Sequence, residues 1–185
     1  MQRLLVTGFL HSSSLPSSSS ELGLREIRKE KEDINLTLLK VSYAEADKFI
    51  SCLTEDDVLL SFGYAPFLKS FTLDYQAKNR RGTEIEDGDG FIPSSILIDK
   101  NGPTHLRTSL PYQELFNRLK EKEDKIVLSD YSGSFLCNYL YYNSLRKTGG
   151  KALFFHLPPF KDEFSLKRIT DFINYVLFLS KNLII

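Results

Sequence analysis

The strongest constraint on this chain is a recurring pattern. Short, almost uninterrupted apolar runs end in glycine or proline and are followed by stretches with helical spacing. Leu4-Leu5-Val6-Thr7 closes at Gly8, Asp57 to Phe62 closes at Gly63, and Lys151 to Leu157 closes at Pro158-Pro159. Runs of this kind suit interior strands. Leu36–Val41 and Ile126–Ser129 read as further strands. Phe71–Ala77 reads as another, in the alternating register Phe71, Leu73, Tyr75, Ala77. Between them lie helical segments at Glu21–Glu32, Tyr43–Leu53, Pro111–Glu123, Ser134–Lys147 and Phe164–Leu179. Their apolar residues recur three and four apart, as in Ile169, Phe172, Ile173 and Val176. Pro111 fits the first position of its helix, and Gly149-Gly150 stops the one before the last strand. Strands and helices thus alternate without a longer repeat, which predicts an α/β sandwich around a mostly parallel or mixed sheet.

Two segments form no packed element on this reading: the serine-rich HSSSLPSSSS from His11 to Ser20, a mobile loop, and the polar Asn79–Gly90. The N-terminal residues fit a buried first strand better than a secretion signal, because their apolar core is short and broken by Thr7 and Gly8. No stretch reaches the ~18 apolar residues of a membrane-spanning helix. Lys and Arg total 24 and so do Asp and Glu. That balance argues against nucleic acid or an anionic membrane as the main partner. Two cysteines among 185 residues make no disulfide framework, and a reducing, cytoplasmic setting is the default. Cys52 falls inside a helix, where a small buried hydrophobe is expected.

In sheets of this kind, functional residues gather beyond the carboxyl ends of the strands. Cys137, in SDYSGSFLCNYLYY, stands between a strand ending near Ser129 and a helix capped by Ser134. In the first turn of that helix, free N–H groups and the positive helix end favour a thiolate. The same N–H groups can hold an oxyanion. An isolated cysteine is most often a buried structural residue, and its place after Ser-Gly-Ser at a strand-to-helix junction sets this one apart. His156 ends an apolar strand that directly follows the Cys137 helix. A lone histidine there is usually a satisfied core or edge residue. Beside a first-turn cysteine it makes the minimum pair of thiol nucleophile and general base. Cys/His clusters with metal-ligand spacing and glycine-rich phosphate loops are absent, so no metal or organic cofactor is implied.

SGSFLCN followed about twenty residues later by FFHLP resembles the pyroglutamyl peptidase (pyrrolidone-carboxylate peptidase) family of cysteine peptidases. VTGF at Val6–Phe9, FGYA at Phe62–Ala65, TLDYQAKN at Thr72–Asn79, EDGDG at Glu86–Gly90 and TSLP at Thr108–Pro111 fall in the family's order. The resemblance implies one domain over residues 1–185, with a three-layer α/β/α, phosphorylase/hydrolase-like fold. It also implies a cytoplasmic cysteine exopeptidase (an omega-peptidase) acting on a peptide or small acyl-amide, and self-association as a homo-oligomer. It makes Cys137 the nucleophile and His156 the base. Asp74 matches the family's triad glutamate. Without the resemblance, Asp74 would be a solvent-facing residue on an alternating strand. Phe9 and Phe135 remain as apolar walls of the substrate site.

This sequence departs from the family around the pocket. Tyr75 and Glu84 stand where the family has arginines, Gly88 where it has asparagine, and Tyr64 where it has glutamine. Ser12, Ser13 and Ser14 replace an aromatic residue and paired glycines. The expectation is therefore a thiol hydrolase, Cys137–His156–Asp74, with a rebuilt pocket around Phe9, Tyr64 and Phe135. The competing reading is a catalytically weak or inactive member that keeps the fold for binding or assembly.

Overall fold

The computed structural model describes residues 2–10, 18–161 and 163–184. Its elements run β1 (Arg3–Phe9), α1 (Ser19–Glu30), β2 (Leu36–Leu39), α2 (Tyr43–Ser51), β3 (Asp57–Tyr64), β4 (Phe71–Asp74) and β5 (Gln76–Lys78). They continue with β6 (His105–Arg107), α3 (Tyr112–Lys122), β7 (Ile126–Ser129), α4 (Leu136–Lys147), β8 (Ala152–Leu157) and α5 (Leu166–Leu183). Six strands form one sheet in the order β2-β1-β3-β8-β4-β7, and β5 and β6 form a separate antiparallel pair. All neighbours in the large sheet are parallel except β4 and β8.

The central strands carry apolar residues on both faces because helices cover both. Val6, Leu60, Phe62, Leu73, Leu153 and Phe155 pack against α1, α3 and α5. Leu59, Ala152 and Phe154 pack against α2 and α4. Successive strand residues point to opposite faces, so one strand feeds two cores, giving the three-layer α/β/α arrangement expected from the sequence. Among the described residues, no helix is long and apolar enough to cross a membrane.

Several local expectations change. Helix α1 starts at Ser19, inside the serine run, because the Ser18 side chain caps it by accepting from the Glu21 N–H at 3.1 Å. Ser18, Ser19 and Ser20 are buried rather than part of a loop. The remainder of that run, His11–Ser17, lies outside the described residues. Cys52 is exposed at the C-cap of α2, so it is not the buried hydrophobe expected. Phe71–Ala77 is two strands, and every residue of β4 is buried. The alternation predicted one wet face, but α4 covers it. The pairing strand β6 is only three residues long, too short to show a period. Helix α4 begins at Leu136 with Phe135 at its N-cap instead of Ser134, and Pro111 is the N-cap of α3. Gly149 and Gly150, at φ +61° and +89°, end α4 as expected, since the left-handed region suits glycine.

Candidate active site

The site forms where α4 begins, beside the carboxyl ends of β3 and β8. Cys137 is the second residue of α4, and no side chain caps that helix end. The first N–H groups of a helix lack intrahelical partners, so those beside Cys137 are available to a ligand. Gly63 on β3 is the register partner of His156 on β8. A Cβ built on Gly63 would lie 3.0 Å from Cys137 Sγ and 2.7 Å from the Phe154 ring. Only a glycine leaves that space to the sulfur.

The strand alternation that sends Leu153, Phe155 and Leu157 to one core turns His156 toward α4. Asp74 comes from β4, which runs antiparallel to β8 and pairs Thr72 with His156. The carboxylate therefore reaches diagonally across the sheet. His156 Nδ1 lies 2.7 Å from Asp74 Oδ2, and Thr72 Oγ1 donates to the other carboxylate oxygen at 3.3 Å. Asp74 is fully buried, contrary to the solvent-facing position that its sequence pattern alone predicts. Burial by itself pulls the imidazole pKa down. The charge of Asp74, its hydrogen bond and the contact with Cys137 overcome that and push the pKa of His156 up to about 10. Asp74 on one side and the thiol on the other thus favour the charged form of the imidazole. Among the described residues, no group of three His, Cys, Asp or Glu side chains is placed to hold a metal.

A cavity of about 360 Å³ opens above the Cys137 thiol, lined by Phe9, Tyr64, Phe135 and Cys137 together with Ser18, Ser20, Val41 and the loop Ile85–Gly88. Three of the residues named from the sequence as pocket walls thus share one cavity with the thiol. His156 and Asp74 stand behind the thiol rather than on the wall. Two of the altered positions lie apart from the cavity: Tyr75 stacks on Tyr112 with ring centroids 5.0 Å apart, and Glu84 is exposed. Ser12, Ser13 and Ser14 lie outside the described residues.

Three contributors carried no role in the sequence reading. Besides Gly63, Asn138 next to Cys137 ties α4 to the chain around β5. Its side chain accepts from the Lys78 N–H at 2.9 Å and donates to the Lys78 and Arg80 carbonyls at 2.8 and 2.7 Å. Asp87 folds the cavity loop onto α2, accepting from the N–H groups of Tyr43, Asp89 and Phe91 at 2.9 to 3.0 Å. Next to it, a Cβ on Gly88 would sit 2.8 Å from the Val41 carbonyl oxygen, so the asparagine of the family would not fit without a shift. The quoted motifs contain Asn138 and Asp87, but nothing in their local pattern gives away the distant partners Lys78 and Arg80 of the one or Tyr43 of the other.

The family model described as pyroglutamyl peptidase matches residues 2–167. The chain belongs to the pyroglutamyl peptidase family. Among its relatives, the pyrrolidone-carboxylate peptidase of Brevibacillus brevis is 26% identical over 169 residues, covering 85% of this chain and 79% of that protein. Human pyroglutamyl-peptidase 1 is 23% identical, covering 84% of this chain and 78% of that protein. Among solved structures, a mutant pyrrolidone carboxyl peptidase from Pyrococcus furiosus superposes with a TM-score of 0.82 at 20% identity, over 98% of this chain and 99% of that one. This pyroglutamyl peptidase family member therefore has the family's fold at low identity, which leaves room for an altered pocket.

Proposed function

We propose that this chain is a thiol hydrolase that removes an N-terminal pyroglutamyl or closely related acyl group, with Cys137 as nucleophile, His156 as proton carrier and Asp74 as the group orienting the imidazole. The observation that carries this reading is the 2.7 Å contact of Asp74 with a buried His156 directly behind a first-turn cysteine, with the carboxylate raising the imidazole pKa. An imidazolium held beside a thiol stabilises the thiolate. The Cys137 sulfur adds to the substrate carbonyl carbon, and the carbonyl π pair moves to oxygen, where the N–H groups at the start of α4 receive it. When the tetrahedral intermediate collapses, the C–N bond breaks and His156 gives its proton to the departing amine. His156, now neutral, then takes a proton from water, whose oxygen attacks the thioester. The acid is released and the thiolate–imidazolium pair is restored. The Nδ1–H of His156 faces Asp74 throughout, so Nε2 is left for the thiol and the leaving group.

Phe9 and Phe135 supply apolar walls, while Tyr64 places a ring where the family has a hydrogen-bonding glutamine. Discrimination against an acyl group rises when a polar site loses a partner, so we expect slow turnover of simple pyroglutamyl substrates. A purely binding role does not require the Cys–His–Asp contacts to be retained together. Both cysteines are unpaired, in keeping with a reducing cytoplasm. Self-association remains an expectation from the family resemblance. The test is hydrolysis of pyroglutamyl-coumarin by the protein and by its Cys137→Ala variant. Slow release lost in the variant supports the reading, whereas equal release by both contradicts it.

A further inference from the structure

The chemistry proposed above uses the carboxylate of Asp74, but the backbone of the same residue is held by a second group. Tyr141 lies four residues after Cys137 on α4, and residues four apart share a helix face. Its buried hydroxyl donates to the Asp74 backbone carbonyl oxygen at 2.9 Å, with the Ala152 carbonyl oxygen at 3.5 Å. One side chain thus stands on the helix that carries the nucleophile and grips the strand that carries the acid.

We infer that Tyr141 is a positioning residue, whose hydrogen bond to the Asp74 backbone sets the spacing between the α4 thiol and the β4 carboxylate and thereby keeps Asp74 on His156. The inference rests on the functional reading above. Aspartate is short, with a single methylene between Cα and carboxyl, so a shift of its backbone passes almost undamped to the carboxylate. The 2.7 Å contact with Nδ1 depends on where that backbone sits. Thr72 steadies only the other carboxylate oxygen, through a longer bond of 3.3 Å. Burial first, and then the charge of Asp74, push the Tyr141 phenol well above its ordinary value, so the hydroxyl remains a donor through the neutral range. The titratable groups that act on His156 are Asp74 from β4 and Cys137 from α4, while β3 presents Gly63.

The next residue provides a control. Tyr142 is also buried, and its hydroxyl donates to the Pro103 carbonyl at 2.9 Å, away from the triad. The experiment is an NMR titration of the His156 ring in the full chain, with iodoacetamide alkylation of Cys137 and thermal unfolding measured in parallel, for the wild type, Tyr141→Phe and Tyr142→Phe. Tyr141→Phe should lower the His156 midpoint by about one pH unit, because it loosens a charge-assisted contact. It should also slow alkylation near neutrality roughly three- to tenfold. Tyr142→Phe should lower the unfolding temperature comparably and leave both readouts at wild-type values. If Tyr141→Phe also leaves both readouts unchanged, the hydroxyl serves only stability and the inference fails. If wild-type His156 titrates near 6.5, the triad reading itself fails and takes this inference with it.

Discussion

Replacing Gly63 by alanine adds one methyl group, and the structure says where it would go. The new Cβ would lie 3.0 Å from Cys137 Sγ and 2.7 Å from Cε1 of Phe154. Comfortable carbon contacts sit near 3.5–4.0 Å, so the overlap is roughly 0.5–1 Å. Gly63 does not occupy the left-handed region, so the penalty is steric and not conformational. Overpacking of this kind costs about 1–3 kcal/mol, which in a domain of this size lowers the unfolding temperature by about 2–12 °C. The catalytic effect should be larger than this suggests, because the group displaced is the proposed nucleophile. A sulfur moved by several tenths of an ångström loses alignment with both the substrate carbon and His156, and we expect kcat to fall roughly ten- to a hundredfold. Gly8→Ala is the matched control: its Cβ would press on Leu24 Cδ1, on the opposite face of the sheet. Both variants should be destabilised, but only Gly63→Ala should also slow alkylation of Cys137 by iodoacetamide. Equal alkylation rates for the two variants would refute the placement of the thiol against Gly63.

Replacing His156 by alanine should slow Cys137 alkylation at neutral pH about tenfold or more, and leave exposed Cys52 at wild-type reactivity, as peptide-resolved mass spectrometry would read. The pKa of His156 is raised on folding from 6.5 to about 10, so the stability it contributes is complete below 6.5 and is lost as the pH rises through 10. Urea unfolding across that window should therefore show a steeper loss in wild type than in Asp74→Asn. Tyr64→Gln, restoring a hydrogen-bonding group at the cavity wall, should raise kcat/KM on pyroglutamyl-coumarin by about tenfold.

The layered fold was legible because both faces of the sheet are covered, which leaves nearly continuous apolar runs such as Val58–Phe62, broken only by Ser61, that end in glycine. The places of Cys137 and His156 were legible for a related reason: each sits at the terminus of a strongly patterned element, where chemistry collects in α/β sheets. Asp74 was not readable from its own pattern. Phe71, Leu73 and Tyr75 alternate as though one face met solvent, whereas the face bearing Asp74 lies under α4, and only the family resemblance assigned it a role. Gly63, Asn138 and Tyr141 act through contacts with residues far away in sequence, which no local period encodes. The helix start at Ser19 escaped notice because a serine run reads as loop until its last members cap and pack. The altered pocket positions were visible as substitutions, yet only coordinates separate Tyr64, on the cavity wall, from Tyr75, stacked on Tyr112.

The chemistry proposed for the triad predicts a covalent intermediate on one sulfur, and rapid-quench mass spectrometry of the intact protein mixed with pyroglutamyl-coumarin looks for it directly. A pyroglutamyl thioester should appear on the peptide containing Cys137 and on no other. It should form more slowly in His156→Ala and be absent from Cys137→Ala. Coumarin release with no acyl group on Cys137, or release that survives Cys137→Ala, would contradict the thiol mechanism.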